Sequence, residues 1–117
     1  MNKRECCRAV FSALENAHNE SGSALQISEI MRQRLECACS IISEMTENEE
    51  TEFLQAIASP SGLSVVMECD DELLLEREDG QMHLFFNLIK KFDRFSFSKA
   101  RDDRLRITLI MDKPWVN

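Results

Sequence analysis

The sequence predicts an α+β fold in which about three N-terminal helices pack on one face of a five-stranded antiparallel meander sheet. Apolar residues recur at helical spacing over residues 1–59, whereas they alternate with polar residues in short runs over residues 60–113. Turn signals separate these runs, and strands joined by tight turns pair antiparallel with their neighbours. The 117 residues fit a single domain, 1–117, with a helical half at 1–59, a sheet half at 60–113 and a short tail at 114–117.

The first helix is predicted to begin after Asn2 and to end at Gly22. The Asn2 side chain can accept a backbone hydrogen bond in the first turn, and Glu5 follows three residues later, as in a capping box. Gly22 suits the C-cap because glycine adopts the left-handed conformation without strain. The apolar stripe between the two caps comprises Cys7, Val10, Phe11 and Leu14, widened by Cys6, Ala13 and Ala17.

The second helix is predicted to open at Ser23, which forms a capping-box pattern with Gln26, and to run to about Met45. One narrow seam of apolar residues follows its length: Met31, Leu35, Ala38, Ile42 and Met45. Such a seam either packs into the protein's own core or joins two copies as a homodimer. The sequence leaves both interpretations open.

A third, short helix is predicted after Thr46, because Thr46 and Glu49 repeat the capping-box pattern. Acidic residues in a first turn also interact favourably with the helix dipole. This helix would bury Phe53, Leu54 and Ile57 and end before Pro60.

Five strands are predicted in the sheet half, covering residues 63–68, 72–76, 82–89, 94–98 and 104–111. The turns between them fall at residues 70–71, 79–80, 90–93 and 101–103, and Asp79-Gly80 is the strongest hairpin signal. The third run is apolar on both faces, which favours a central strand. Phe95 and Phe97 are expected to face the core, and Trp115 in the tail is expected to pack against its own domain.

The N-terminal residues lack the apolar stretch of a secretory signal, and no run approaches the length of a membrane span. We therefore expect a cytoplasmic protein with no membrane contact. The cysteines are odd in number and form no CxxC pair, which indicates reduced thiols: Cys6, Cys7, Cys37, Cys39 and Cys69.

No catalytic, cofactor-binding or metal-binding motif is present in the sequence, so we expect no enzymatic activity and no cofactor. His18 and His83 have no Ser or Cys nucleophile motif beside them. The carboxylates at 70–72 could ligate a divalent cation, but aspartate in a turn has a structural explanation as well.

Charge is the strongest functional signal, because residues 44–79 hold twelve acidic residues and one basic residue, Arg77. An acidic band of this kind can imitate the phosphates of a nucleic acid and occupy a basic protein surface. We therefore expect a protein partner with a basic surface, for instance a nucleic-acid-handling complex that the protein inhibits. The band comprises Glu47, Glu49, Glu50, Glu52, Glu68, Asp70, Asp71, Glu72, Glu76 and Glu78.

Two alternatives remain open. In the first, the outer face of the last two strands binds anions through Arg94, Arg104 and Arg106, and the protein is a small nucleic-acid-binding regulator. In the second, it is a homodimeric adaptor or chaperone.

Overall fold

The structure is a computed structural model that describes residues 1–22, 25–70 and 81–116, with the side chain of Gln81 excepted. This part of the chain forms three helices and six strands. In chain order they are α1 (Lys3–Ser21), β1 (Gln26–Ile27), α2 (Glu29–Met45), β2 (Thr51–Ser59), β3 (Gly62–Asp70), α3 (Gln81–Ile89), β4 (Arg94–Lys99), β5 (Arg104–Asp112) and β6 (Trp115–Val116). The predicted α+β class is confirmed, whereas the single five-stranded meander is wrong.

The strands belong to two antiparallel sheets. A four-stranded sheet has the order β2-β3-β5-β4, and β1 pairs with β6 in a separate two-stranded sheet. In the larger sheet β5 lies beside β3, so β4 is displaced to an outer edge and β2 forms the opposite edge. The connection from β3 to β4 includes α3, which is why consecutive strands there are not neighbours.

The first helix forms as predicted. The Glu5 N–H donates to Asn2 Oδ1 over 2.8 Å, and Gly22 caps the C-terminus with φ 69°. Its buried face comprises Cys6, Val10, Leu14 and Ala17.

The second helix ends at Met45 as predicted, but it begins at Glu29 instead of following Ser23. Ser28 is its N-cap, because its hydroxyl accepts the Met31 N–H over 3.1 Å. Gln26 and Ile27 lie outside the helix because they form β1, which pairs with β6. Ser23 lies outside the described residues.

The seam of α2 packs into the protein's own core. Leu35, Ala38, Ile42 and Met45 are each at most 2% exposed, and α2 packs against α1 and α3. The interpretation of this seam as a homodimer contact is therefore wrong.

The predicted third helix does not form, since Thr51–Ser59 is strand β2. Thr46 caps the end of α2 instead, and its hydroxyl donates to the Ile42 carbonyl over 2.9 Å. The strand is not evident from the sequence, because a β-bulge between Phe53 and Gln55 interrupts the alternation of inward and outward residues.

The predicted central strand at 82–89 is helix α3. Phe85 and Leu88 are buried, and Phe92 follows at the next helical spacing just beyond the helix. A short, continuously apolar run fits a buried strand and a buried helix equally, so its period does not decide between them. The predicted strand at 72–76 and the Asp79-Gly80 hairpin lie outside the described residues.

The core lies between the helices and the inner face of the larger sheet. Its sheet side comprises Leu63, Val65, Met67 and Cys69 of β3 with Ile107, Leu109 and Met111 of β5. Phe95 and Phe97 share this inner face through their pairing with Leu109 and Ile107, but each is 46% exposed. Their predicted burial is therefore wrong, because β4 lies at the sheet's edge and its inner face is only partly covered.

The tail packs against the domain as predicted. Trp115 is half-buried, and its indole N–H donates to the Ser59 carbonyl over 3.1 Å. Within the described ranges, no helix is both long and apolar enough to cross a membrane.

Candidate functional site

The outer face of the four-stranded sheet carries most of the described candidate site residues. The strand register aligns three rows of outward side chains across β2, β3, β5 and β4. The rows are Ile57, Ser64, Ile110 and Arg94; then Gln55, Val66, Thr108 and Ser96; then Glu52, Glu68, Arg106 and Ser98. All of these residues are exposed or half-buried, so the face is open to solvent.

At one end of this face, the acidic and basic candidates form a single ion-pair cluster centred on Glu68. Arg106 donates to Glu68 Oε2 from Nη2 at 2.8 Å and from Nε at 3.2 Å. Arg104 Nε lies 3.6 Å from the other oxygen of Glu68, and Arg104 Nη2 lies 3.9 Å from Glu52 Oε2. Carboxylates and guanidinium groups that had suggested two separate sites therefore pair with one another.

The cluster has a clear electrostatic signature at Glu68, whose side chain is only 14% exposed. The hydrogen bond from Arg106 holds the pKa of Glu68 below its usual value of 4.5, and the charges of Arg106 and Arg104 act in the same direction. Partial burial opposes this shift but does not overcome it. Glu68 is thus an ionised structural group in the native protein.

The remaining candidate arginine, Arg94, is paired at the opposite end of the face. Its Nε and Nη2 atoms donate to the two carboxylate oxygens of Asp112 over 2.9 and 2.8 Å. This hydrogen-bonded pair raises the pKa of Arg94 and lowers that of Asp112. A phosphate group bound at any of the three arginines would have to compete with a carboxylate already in place.

The acidic band is reduced by this pairing. Glu68 is committed to the arginines, Glu52 is close to Arg104, and Asp70 lies opposite Arg104 in the strand register. Asp71, Glu72, Glu76 and Glu78 lie outside the described residues.

Three residues of the band are exposed in the connection between α2 and β2: Glu47, Glu49 and Glu50, called here the acidic loop. No ion pair among the described residues involves a carboxylate of this loop. Arg104 Nη2 donates to the Glu50 carbonyl over 3.3 Å, so the ion-pair cluster also anchors the loop's backbone. β2 exposes two apolar side chains: Leu54 at 40%, near the loop, and Ile57 at 53%, towards the opposite end of the strand.

An open groove of about 560 Å³ lies among α1, β1 and Trp115, and it was not anticipated from the sequence. Two of its polar residues, His18 and Arg32, already have structural contacts. His18 Nδ1 accepts the Leu25 N–H over 3.0 Å, and the Arg32 guanidinium lies 5.0 Å from the centre of the Phe11 ring. Because the groove's walls come from distant segments, no local motif could have indicated it.

The cysteines are free thiols, and three of them meet where α1 packs on α2. The Cys39 thiol shares hydrogen bonds with Cys6 and Cys7. The bond with Cys6, together with burial, raises the pKa of Cys39, and the bond with Cys7 only partly opposes this shift. Burial and the neighbouring Cys39 raise the pKa of Cys7 to about 11. In the described ranges no three His, Cys, Asp or Glu residues are arranged to hold a metal ion.

Comparison of the chain with protein-family models, with curated proteins and with solved structures finds no match. The geometry of the chain itself therefore carries the functional argument.

Proposed function

We propose that this chain is a non-enzymatic cytoplasmic protein that binds another protein through the acidic loop and the adjoining outer surface of β2. The observation that carries the proposal is the position of three exposed carboxylates, Glu47, Glu49 and Glu50, which form no ion pair within the described part of the chain and lie at the end of β2 that also exposes Leu54. Protein interfaces commonly combine a few apolar contacts with a polar rim. The partner's surface would then be basic around a small apolar patch.

The charge of the acidic loop supports fast and selective association. Carboxylates without an internal cation project a negative potential, which attracts a basic surface and raises the association rate. The basic groove of a nucleic-acid-handling protein has this character, and occupation of such a groove would inhibit that protein.

Rigid support of the loop adds to the proposal. Arg104 connects the Glu50 carbonyl to Glu68 on the neighbouring part of the sheet. Because an interaction surface that is already ordered loses less conformational entropy on binding, this anchor favours affinity. Arg104 is thus a positioning residue in the proposal and need not touch the partner.

Reduced thiols support a cytoplasmic location, since all five cysteines are free and two buried ones, Cys6 and Cys39, lie in contact. An oxidising compartment would favour disulfides between such neighbours.

The proposal is tested by affinity capture from the native cell, followed by binding measurements on each captured protein. Replacement of Glu47, Glu49 and Glu50 by Lys should weaken partner binding at least tenfold and lower the association rate, most strongly at low salt. Unchanged affinity would contradict the proposal.

The matched control replaces Glu5, Glu15 and Glu20 on α1 by Lys, because these residues are also exposed and the net charge changes equally. This control should retain partner binding. Equal loss in both variants would mean that net charge, and not the acidic loop, governs association.

A further inference from the structure

The edge of the sheet opposite β2 carries an exposed aromatic surface. Phe86 is 50% exposed, and Phe95 and Phe97 are each 46% exposed; these three residues are called here the aromatic edge. The rings of Phe95 and Phe97 lie 5.6 Å apart, and Phe85 beneath them joins the surface to the core at 6.2 and 5.6 Å. Contiguous exposed aromatic groups of this kind mark interaction sites.

Within residues 1–22, 25–70 and 81–116, no strand pairs with the outer edge of β4. Among the described residues β4 pairs with β5 alone, and every residue of β4 is exposed. The Ala100 N–H donates to the Arg104 carbonyl over 2.8 Å. Alternation along the antiparallel ladder then directs the N–H and C=O groups of Ser96 and Ser98 towards β5, and those of Phe95 and Phe97 away from it.

We propose that a second copy of this chain covers the aromatic edge, and that the two β4 strands pair antiparallel about a two-fold axis at Ser96. In this register Phe95 of each copy exchanges backbone hydrogen bonds with Phe97 of the other. The two four-stranded sheets become one continuous sheet, and the aromatic edges of both copies come together on its inner face. Cross-strand aromatic pairs stabilise such a junction.

The charges of β4 are self-complementary about this axis, as a two-fold interface requires. Asp93, the residue before β4, comes opposite Lys99 of the other copy; both residues are exposed, and Asp93 Oδ2 also accepts the Asp112 N–H over 2.7 Å. Arg94 comes opposite Ser98, and its own charge is already paired with Asp112. Lys91 and Arg101 come opposite one another only beyond the paired strands, where solvent screens like charges.

Neighbouring registers that preserve the hydrogen-bond alternation are less favourable. An axis at Phe95 would place Asp93 of one copy opposite Phe97 of the other and lose the Asp93–Lys99 pair. An axis at Phe97 would place Phe95 opposite Lys99 and leave a single Phe97–Phe97 pair in place of the two Phe95–Phe97 pairs. The sequence around Ser96 therefore selects one register.

The proposed dimer contact does not involve the acidic loop, but dimerisation would affect how the protein binds its partner. The acidic loop precedes β2, at the edge of the sheet opposite β4, so dimerisation leaves both acidic loops uncovered. The dimer would then present two equivalent docking surfaces, which increases the avidity for a partner with repeated basic surfaces.

Sedimentation equilibrium of the wild-type protein tests the inference, with an expected mass of twice the 13.5 kDa of one chain. Ser96→Lys should yield monomers at the same concentration, because two like charges would lie directly opposite at the axis. Ser12→Lys on the exposed surface of α1 is the control and should remain dimeric. Circular dichroism should show both variants folded.

A second variant tests the register without a change in charge. In a Cys37→Ser background, Ser96→Cys should form an interchain disulfide under mild oxidation. Residues opposite one another in a non-hydrogen-bonded antiparallel pair lie about 4.5 Å apart between Cα atoms, within the range that a disulfide spans. Ser98→Cys lies opposite Arg94 and should not crosslink.

A wild-type mass of one chain over the whole concentration range would overturn the inference. A dimer that survives Ser96→Lys and does not crosslink through Ser96→Cys would overturn it equally, since the contact would then lie elsewhere. Neither result bears on the acidic loop, whose test is partner binding.

Discussion

Glu68 and Arg106 lie directly opposite one another on β3 and β5, and Arg106 Nη2 is 2.8 Å from Glu68 Oε2. This pair is the centre of the outer-face cluster, because Arg104 approaches the other oxygen of Glu68 and also contacts the backbone of the acidic loop. The strand register that brings Glu68 and Arg106 together therefore also helps to position the proposed docking surface.

The pH dependence of stability should reveal the Glu68 interactions. Because the folded protein lowers the pKa of Glu68 from 4.5, the ionised pair stabilises the fold above about pH 4.5 and loses this effect as the pH falls through the lower, folded-state pKa. Glu68→Gln should cost about 1 kcal/mol at pH 7. Urea unfolding of both proteins should show this difference shrinking below pH 4.5.

Glu52→Gln is the matched control, since its carboxylate is 58% exposed and lies 3.9 Å from Arg104. A well-solvated pair at this distance contributes little, so the control should resemble the wild type at every pH. A wild-type advantage over Glu68→Gln that grew on acidification would contradict the assignment.

Thr51 allows a test of how a buried hydroxyl group affects the free energy of unfolding. Its side chain is 3% exposed, and the hydroxyl has no hydrogen-bond partner in the described part of the chain. An uncompensated buried hydroxyl is destabilising, and valine has nearly the same shape with a high preference for strands. Thr51→Val should therefore raise the free energy of unfolding by about 1 kcal/mol.

Denaturant unfolding of Thr51→Val checks this value, with Thr108→Val on the outer face as the control. Thr108 is only half-buried, and its hydroxyl faces the solvent side of the sheet. Equal stabilisation in both variants would show that strand preference, and not the buried hydroxyl, is responsible.

The features that were predicted correctly from sequence depend on adjacent residues. The caps of α1 at Asn2 and Gly22 need only a neighbouring N–H or a permissive φ, and the alternation of β5 is uninterrupted. The wrong predictions concern segments whose structure is determined by pairing with a distant strand. Gln26 and Ile27 join β6 instead of α2, and the capping-box pattern at Thr46 yields to the pairing of β2 with β3.

The candidate site was predictable in its residues but not in its geometry. The alternation of apolar and polar residues identifies Glu68 and Arg106 as charged, outward-facing residues. Their pairing, however, depends on the strand order β2-β3-β5-β4. A meander would have placed other strands between β3 and β5. The aromatic edge was missed for a related reason, because inward direction was equated with burial at a strand that lies on the sheet's edge.

Cysteine reactivity should follow the positions of the thiols. Cys37 is exposed, whereas Cys6, Cys39 and Cys69 are at most 1% exposed and the pKa of Cys7 is raised to about 11. Since the thiolate is the reactive form, one thiol per chain should react rapidly with a disulfide reagent at pH 8. Mass spectrometry should place the label on Cys37.

Cys37→Ser should abolish the rapid phase, and the remaining thiols should react only as the protein opens or unfolds. Rapid labelling of Cys6 or Cys39 in the native state would contradict the packing of α1 on α2.

Gly62 should be intolerant of a side chain because of one close backbone approach. A Cβ atom at this position would lie 2.8 Å from the Met111 carbonyl oxygen, which is closer than real Cβ contacts allow. The neighbouring atom belongs to the backbone of β5 and cannot rotate away, so β3 and β5 would have to separate locally. Gly62→Ala should therefore destabilise the protein by about 2 kcal/mol, measured by thermal unfolding.

Ser64→Ala is the control for this substitution, because Ser64 is half-buried on the outer face of the same strand. The substitution should change the stability by less than about 0.5 kcal/mol.

Gly22→Ala distinguishes the two reasons for which glycine is needed, a close backbone contact at Gly62 and a positive φ at Gly22. Nothing lies within 4 Å of a Cβ at Gly22, but its φ of 69° strains any other residue. A cost for Gly22→Ala together with a neutral Gly62→Ala would mean that β3 and β5 pair less closely than their register indicates, and the ion pairs that depend on that register would then be in doubt as well.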